Sequence, residues 1–101
     1  MKNIKKIEQL YTIYEQPMYR IAYAILKNEW QAEDAVSDSF EKIIVNISKI
    51  GNPRSEKTKR YVISIIKNAA IDQYRKIVKK IRELLHLMKD FRIRIRTMNR
   101  M

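Results

Sequence analysis

Residues 28–51 read NEWQAEDAVSDSFEKIIVNISKIG, and their spacing decides the fold. At about 100° per residue, Val36, Phe40, Ile43, Ile47 and Ile50 gather on one face of a helix, with Asp34, Asp38 and Glu41 on the opposite face. Asn28 stands where an N-cap belongs, with Gln31 three residues on as its capping-box partner. Gly51 stands where a helix commonly ends in a left-handed residue. The segment therefore reads as one amphipathic helix from Asn28 to about Lys49, buried along one stripe and wet along the other.

Further helices follow on both sides. Upstream, Ile4, Ile7, Leu10 or Tyr11, and Tyr14 form a short stripe that ends before Pro17. Pro17 suits the first turn of another helix, where its missing N–H costs nothing. That helix, Pro17 to about Lys27, is apolar nearly all round and is expected to be central. Downstream, residues 51–58 are the only turn-rich stretch. A last helix starts near Ser55–Thr58 and runs to about Lys89. Its apolar face is Val62, Ile65, Ile66, Ala69, Ala70 and Ile77; its other face carries Arg60, Ser64, Lys67, Asn68 and Arg75, with Ile71 the apolar exception. From Phe91 to Arg96 apolar and basic residues alternate with period two, which does not read as a helix, and the alternation offers no apolar face for a membrane surface. The expected architecture is all-α: a compact bundle of about four helices over 1–90, with 91–101 a flexible basic tail.

Composition removes most chemistries. A chain of 101 residues and 12.2 kDa is one domain. It has no cysteine and one histidine, so thiolate zinc sites, disulfides, cysteine nucleophiles and histidine relays are excluded. His86 sits in an apolar stretch and reads as a packing or surface residue. A single glycine allows no glycine-rich phosphate loop. The carboxylates of Asp34, Asp38 and Glu41 share one outward stripe with no basic partner to tune them. No catalytic residue, metal site or cofactor is expected, and the chain does not read as an enzyme. The longest apolar run, 21–26, is too short to span a bilayer, and no apolar segment follows the first lysines as in a signal peptide. A cytoplasmic protein is expected.

The net charge of +11 is unevenly placed. Residues 1–50 hold seven basic and seven acidic side chains, whereas residues 51–101 hold fifteen basic against four acidic. Such asymmetry marks an anionic partner for the second half, most often nucleic acid or an acidic membrane. The surface from Asn52 to Lys76 mixes Lys and Arg with Tyr61 and Asn68, which can stack on bases or pair with their edges.

Read together, the acidic stripe and the basic half resemble region 2 of the bacterial sigma-70 factors, in particular the extracytoplasmic-function group. Gln31–Lys42 is similar to that group's A-E-D-hydrophobic-V-Q-E-x-F helix through Ala32, Glu33, Asp34, Val36 and Phe40, with Asp38 in place of the usual Glu. Leu10-Tyr11 and Pro17–Ala22 resemble the L-Y…P-x-L-Y-R-x-A opening. Tyr61–Arg75 resembles W-L-x-x-I-A-R-N-x-A-I-D-x-x-R, in register at Ile65, Lys67, Asn68, Ala70, Ile71, Asp72 and Arg75, with Tyr61 replacing the usual Trp. The resemblance covers about residues 7–80. It implies that Glu33, Asp34, Val36, Asp38 and Glu41 bind core RNA polymerase at the coiled coil of its largest subunit. It implies also that Asn52, Arg54, Lys57, Lys59, Arg60, Tyr61, Ser64, Lys67, Asn68 and Arg75 meet promoter DNA, opening the −10 element and holding its non-template strand. An anti-sigma factor is a further partner the resemblance suggests. Nothing after residue 80 reads as the helix-turn-helix with which such factors read the −35 element, so the sequence is an excised domain, a truncated gene product, or a single-domain subunit whose −35 reader is a separate chain. Two other readings compete: a helical interaction module, and a single-domain co-sigma subunit that binds polymerase or a regulator without melting DNA.

Overall fold

A computed structural model describes residues 2–99. They form α1 (Lys2–Leu26), α2 (Glu29–Val45), a 3₁₀ turn (Ile47–Lys49) and α3 (Glu56–Asn99), with no strand among the described residues. Each α-helix packs against the other two. The all-α expectation holds; the count of four helices does not.

The first two expected helices are one. Leu10, Tyr14, Met18, Ala22 and Leu26 recur every four residues and are all buried, so a single stripe runs unbroken past Pro17. A proline inside a helix costs about 3 kcal/mol or more. Each large buried apolar side chain returns roughly 1.5–3 kcal/mol, and four of them, Leu10, Tyr14, Met18 and Leu26, flank the proline, so packing overrides the break. Pro17 itself is exposed, and Pro17→Ala should raise stability by about 1–3 kcal/mol in thermal unfolding; an unchanged or lower midpoint would contradict this account. The expected central position is also corrected: with only three helices, Tyr23 and Ala24 stay exposed.

Two residues link α1 to α2. Lys27 takes a left-handed φ of 55°, and Asn28 is extended and caps α2, its side-chain oxygen accepting from the Gln31 N–H at 3.0 Å. The far end of α2 comes earlier than the spacing predicts. Asn46 ends it, its side-chain amide donating to the Lys42 carbonyl at 2.9 Å. The tighter 3₁₀ turn then brings Ile47 and Ile50, three residues apart, onto the same side, and both are buried. Gly51 therefore lies beyond the helix, without a positive φ.

Ser55 starts α3. Its hydroxyl oxygen accepts from the Thr58 N–H at 3.2 Å, and the buried Thr58 hydroxyl donates to the Asn52 carbonyl at 2.7 Å. Val62, Ile66 and Ala70 are buried, with Ile65, Ala69 and Ile77 packed at the core's edge. From Lys79 to Met98 every residue is exposed, so the second half of α3 projects from the bundle as an arm. His86 lies on it, a surface residue. The alternating stretch at 91–96 is helical, against the sequence expectation; residues 100 and 101 lie outside the described residues. Read in steps of four and three, Phe91 and Ile95 extend the row Ile77, Ile81, Leu84 and Met88, and only Ile93 falls off it. The apolar face denied to this segment on the sequence therefore exists.

Candidate functional site

The outer face of α2 holds the acidic stripe. Glu33, Asp34, Asp38 and Glu41 are all exposed, whereas Val36 is buried in the core and shows little of itself to a partner. Asp34 is not free: it accepts a hydrogen bond from the Gln73 side-chain amide at 3.0 Å, tying α2 to α3. Asp38 and Glu41 remain unencumbered. Two residues missed from the sequence extend this stripe. Trp30 is 81% exposed and Val45 80%, and steps of four, four, three and four connect Trp30, Asp34, Asp38, Glu41 and Val45 along one side of the helix. The signal was present in the spacing. Trp is among the residue types most enriched at protein-binding hot spots.

Glu33 turns toward α1. With Tyr11, Glu15, Tyr19, Val36 and Phe40 it lines a groove of ≈ 510 Å³ between the two helices. The Tyr11 and Phe40 rings meet at 5.2 Å between centroids. A hydrogen bond and the charge of Glu15 push the Tyr11 phenol above its ordinary pKa. Tyr19 is pushed up by desolvation, then by Glu29 and Glu33. With Glu15 and Glu33 on its walls and no basic side chain among its lining residues, the groove favours cations over anions.

The other candidate face spans the 51–55 loop and α3. Lys57, Arg60, Tyr61, Ser64, Lys67, Asn68 and Arg75 are exposed and share the outer side of α3, opposite Val62, Ile66 and Ala70. Lys59 and Arg54 part from them and line a second groove, against Ile13, Tyr14, Pro17 and Ile21 of α1. Asn52 is largely spent on the loop, its side-chain oxygen accepting from the Arg54 N–H at 3.0 Å and its carbonyl taking Thr58. The loop is also held from a distance: the Lys6 ammonium donates to the Ile50 carbonyl, and the buried Tyr14 hydroxyl donates to the Pro53 carbonyl, both at 2.6 Å. Beside this fixed loop, Lys49, Ile50, Gly51, Lys57, Thr58 and Tyr61 line a cleft of ≈ 310 Å³. The partly exposed Tyr61, which the sequence marked as a stacking residue, is among its lining residues.

The family profile of sigma-70 region 2 matches residues 10–79. The chain belongs to the sigma-70 region 2 family. The matched segment begins in α1 and ends in α3 just as that helix leaves the bundle, so all three helices and both faces are region 2. Among curated proteins the chain is 37% identical over 71 residues to the RNA polymerase sigma factor SigV of Bacillus subtilis (strain 168). The match covers 70% of this chain and 41% of that relative, so the chain spans about two-fifths of the sigma factor it resembles. No solved structure matches it significantly. The resemblance to sigma-70 region 2 read from the sequence agrees with both matches. The arm of α3 beyond residue 79 lies outside the family match, and no described helix is long and apolar enough to cross a membrane.

Proposed function

We propose that this region 2 domain binds core RNA polymerase through the outer face of α2, and opens and holds the promoter −10 element with the 51–55 loop and the outer face of α3. The observation that carries the reading is the division of charge over one small bundle. An acidic stripe flanked by Trp30 and Val45 suits a basic protein surface, and a basic helix beside a cleft suits a nucleic-acid strand. Glu33 joins the first surface through the α1–α2 groove, and Val36 contributes by supporting α2 from inside. On the second surface Lys57, Arg60, Lys67 and Arg75 hold phosphates, Asn68 meets a base edge, and Ser64 fills the row between them. The cleft over Tyr61 takes a base turned out of the stack, an exchange that repays part of the cost of melting. Arg54 and Lys59 reach a neighbouring stretch of backbone, and Asn52 acts by shaping the loop. An anti-sigma factor that covers either face is a further partner of this reading.

Single-stranded −10 sequence should bind the polymerase-bound domain better than duplex, with an affinity that falls steeply with salt, at roughly 0.7 logarithmic units per phosphate contacted. Asn68→Ala should narrow the preference for the −10 strand over a scrambled one by about tenfold or more, because an amide–base contact supplies roughly 1–3 kcal/mol of discrimination. Lys67→Ala should weaken both strands alike. Competition binding at fixed salt, with 2-aminopurine fluorescence reporting base unstacking, tests the assignment. An unchanged ratio in Asn68→Ala moves recognition to the Gly51–Thr58 cleft. Polymerase binding without any unstacking selects the interaction-module reading instead.

A further inference from the structure

The arm of α3 continues the face that packs the bundle. Val62, Ile66, Ala70 and Ile77 are covered by α1 and α2, and Ile81, Leu84, Met88, Phe91, Ile95 and Met98 prolong that row in alternating steps of three and four, 41–72% exposed. At 100° per residue Ile81 to Met98 keep within about 100° of one another around the helix, a stripe flanked by Leu85 and Leu87 that suits a helix-to-helix seam. We propose that the covering element is the arm of a second copy of this chain, packed antiparallel about a twofold axis near residues 89–90.

The register follows from the residues. Running the second arm in reverse places Ile81 against Met98 of the other copy, Leu84 against Ile95, and Met88 against Phe91, so each large seam residue has a mate of similar bulk. The seam's flanks carry Leu85 and Leu87 near one end and Arg92 and Arg94 near the other. In this register Leu85 lies beside Arg92 of the other copy and Leu87 beside Arg94, so apolar surface meets the arginine stems and no two cations are set opposite each other. A parallel arrangement fails on the fold: α1 and α2 occupy that face of α3 up to Ile77, and two bundles at one end would contend for the same space. Reversal sends the bundles to opposite ends and leaves residues 81–98 to pair over about 27 Å. Covering these half-exposed side chains on both copies removes on the order of 1,000 Å² from water, the lower bound for a specific interface and the size of a reversible one.

Charge gives the association a distinctive signature. Each arm from 79 to 98 carries seven basic residues against Glu83 and Asp90, a net +5. Salt screens the repulsion between two such arms without weakening the seam, so dimerisation tightens as salt rises, opposite to DNA binding. Sedimentation of the full chain across concentration, at low salt and at about 0.5 M, is expected to show a monomer–dimer equilibrium that shifts toward dimer at high salt. Phe91→Glu, which places a carboxylate in two symmetry-related layers, should weaken it by about a hundredfold or more. Ile93→Glu, on the opposite side of the same exposed arm, should leave it unchanged. The native chain has no cysteine, so orientation is read by mixing an Ile81→Cys chain with a Met98→Cys chain: a disulfide between the two variants is expected. Any of four results overturns the proposal: a monomer at every concentration and salt, equal effects of Phe91→Glu and Ile93→Glu, preferential 81-to-81 cross-links, or a monomer that binds anionic vesicles through the arm.

Discussion

Tyr14→Ala is expected to cost about 3–5 kcal/mol of stability and to take −10 strand binding with it. The ring fills the α1 stripe between Leu10 and Met18, and its hydroxyl holds the Pro53 carbonyl at 2.6 Å across 39 residues of sequence. Tyr14→Phe keeps the ring and removes only that bond, leaving a buried carbonyl unpaired, so a loss of about 1–3 kcal/mol is expected in urea unfolding. The comparison separates packing from loop anchoring. If Tyr14→Phe binds the −10 strand like the native chain, the loop holds its shape without α1. The phenol also gives an alkaline signature. Burial first, then the Glu56 carboxylate, raises its pKa above the ordinary 10.0, with Arg54 pulling the other way. The unfolded chain therefore loses this proton before the folded one does. Stability from Tyr14 is complete below pH 10 and is lost as pH climbs through the folded value. Tyr14→Phe should remove that slope while Tyr11 and Tyr19 keep theirs.

Reversing Asp38 and Glu41 together to arginine should weaken binding to core polymerase by at least about a hundredfold, since like charges juxtaposed at an interface cost several kcal/mol. Both side chains are exposed on the outer face of α2, so the melting temperature should hardly move. They are a cleaner choice than Asp34, whose reversal would also break the bond to Gln73. Trp30→Ala is the uncharged companion: the same loss of affinity at any salt concentration points to a desolvated hot spot, whereas the charge reversal should matter less as salt rises. A folded double mutant that still binds polymerase would remove α2 from the interface.

Much of this was readable from local rules. The α2 stripe, its Asn28 cap and the outward acids follow from spacing alone, and the outer row of α3 from Arg60 to Arg75 stands where its periodicity put it. The misreadings at Pro17 and Gly51 share a cause: local signals were overruled by contacts distant in sequence; the helix at 91–96 is exposed throughout and has no such contact. Pro17 is a helix breaker locally, but Leu10, Tyr14, Met18 and Ala22 answer to α2 and α3. Gly51 invites a helix end, yet burial of Ile47 and Ile50 needs the tighter turn before it. Asn52 carries the right groups for reading a base, and its oxygen is already occupied by Arg54. Trp30 escaped notice because an isolated aromatic beside a cap carries no periodicity until Val45, at the other end of the row, is seen with it.

The arm also sets how the molecule moves through water. A compact chain of this length has a radius of gyration of about 13 Å, whereas here it is 20.2 Å, with extents of 73 × 22 × 19 Å. Drag grows with the long axis, so a monomer of 12.2 kDa should elute ahead of globular standards of equal mass and show slow, anisotropic tumbling. Fluorescence depolarisation of the single Trp30, fixed to the bundle, should decay with more than one rotational time. An end-over-end time much longer than the spin about the axis is the mark of a rod, and shortening the chain at residue 79 should collapse the two into one.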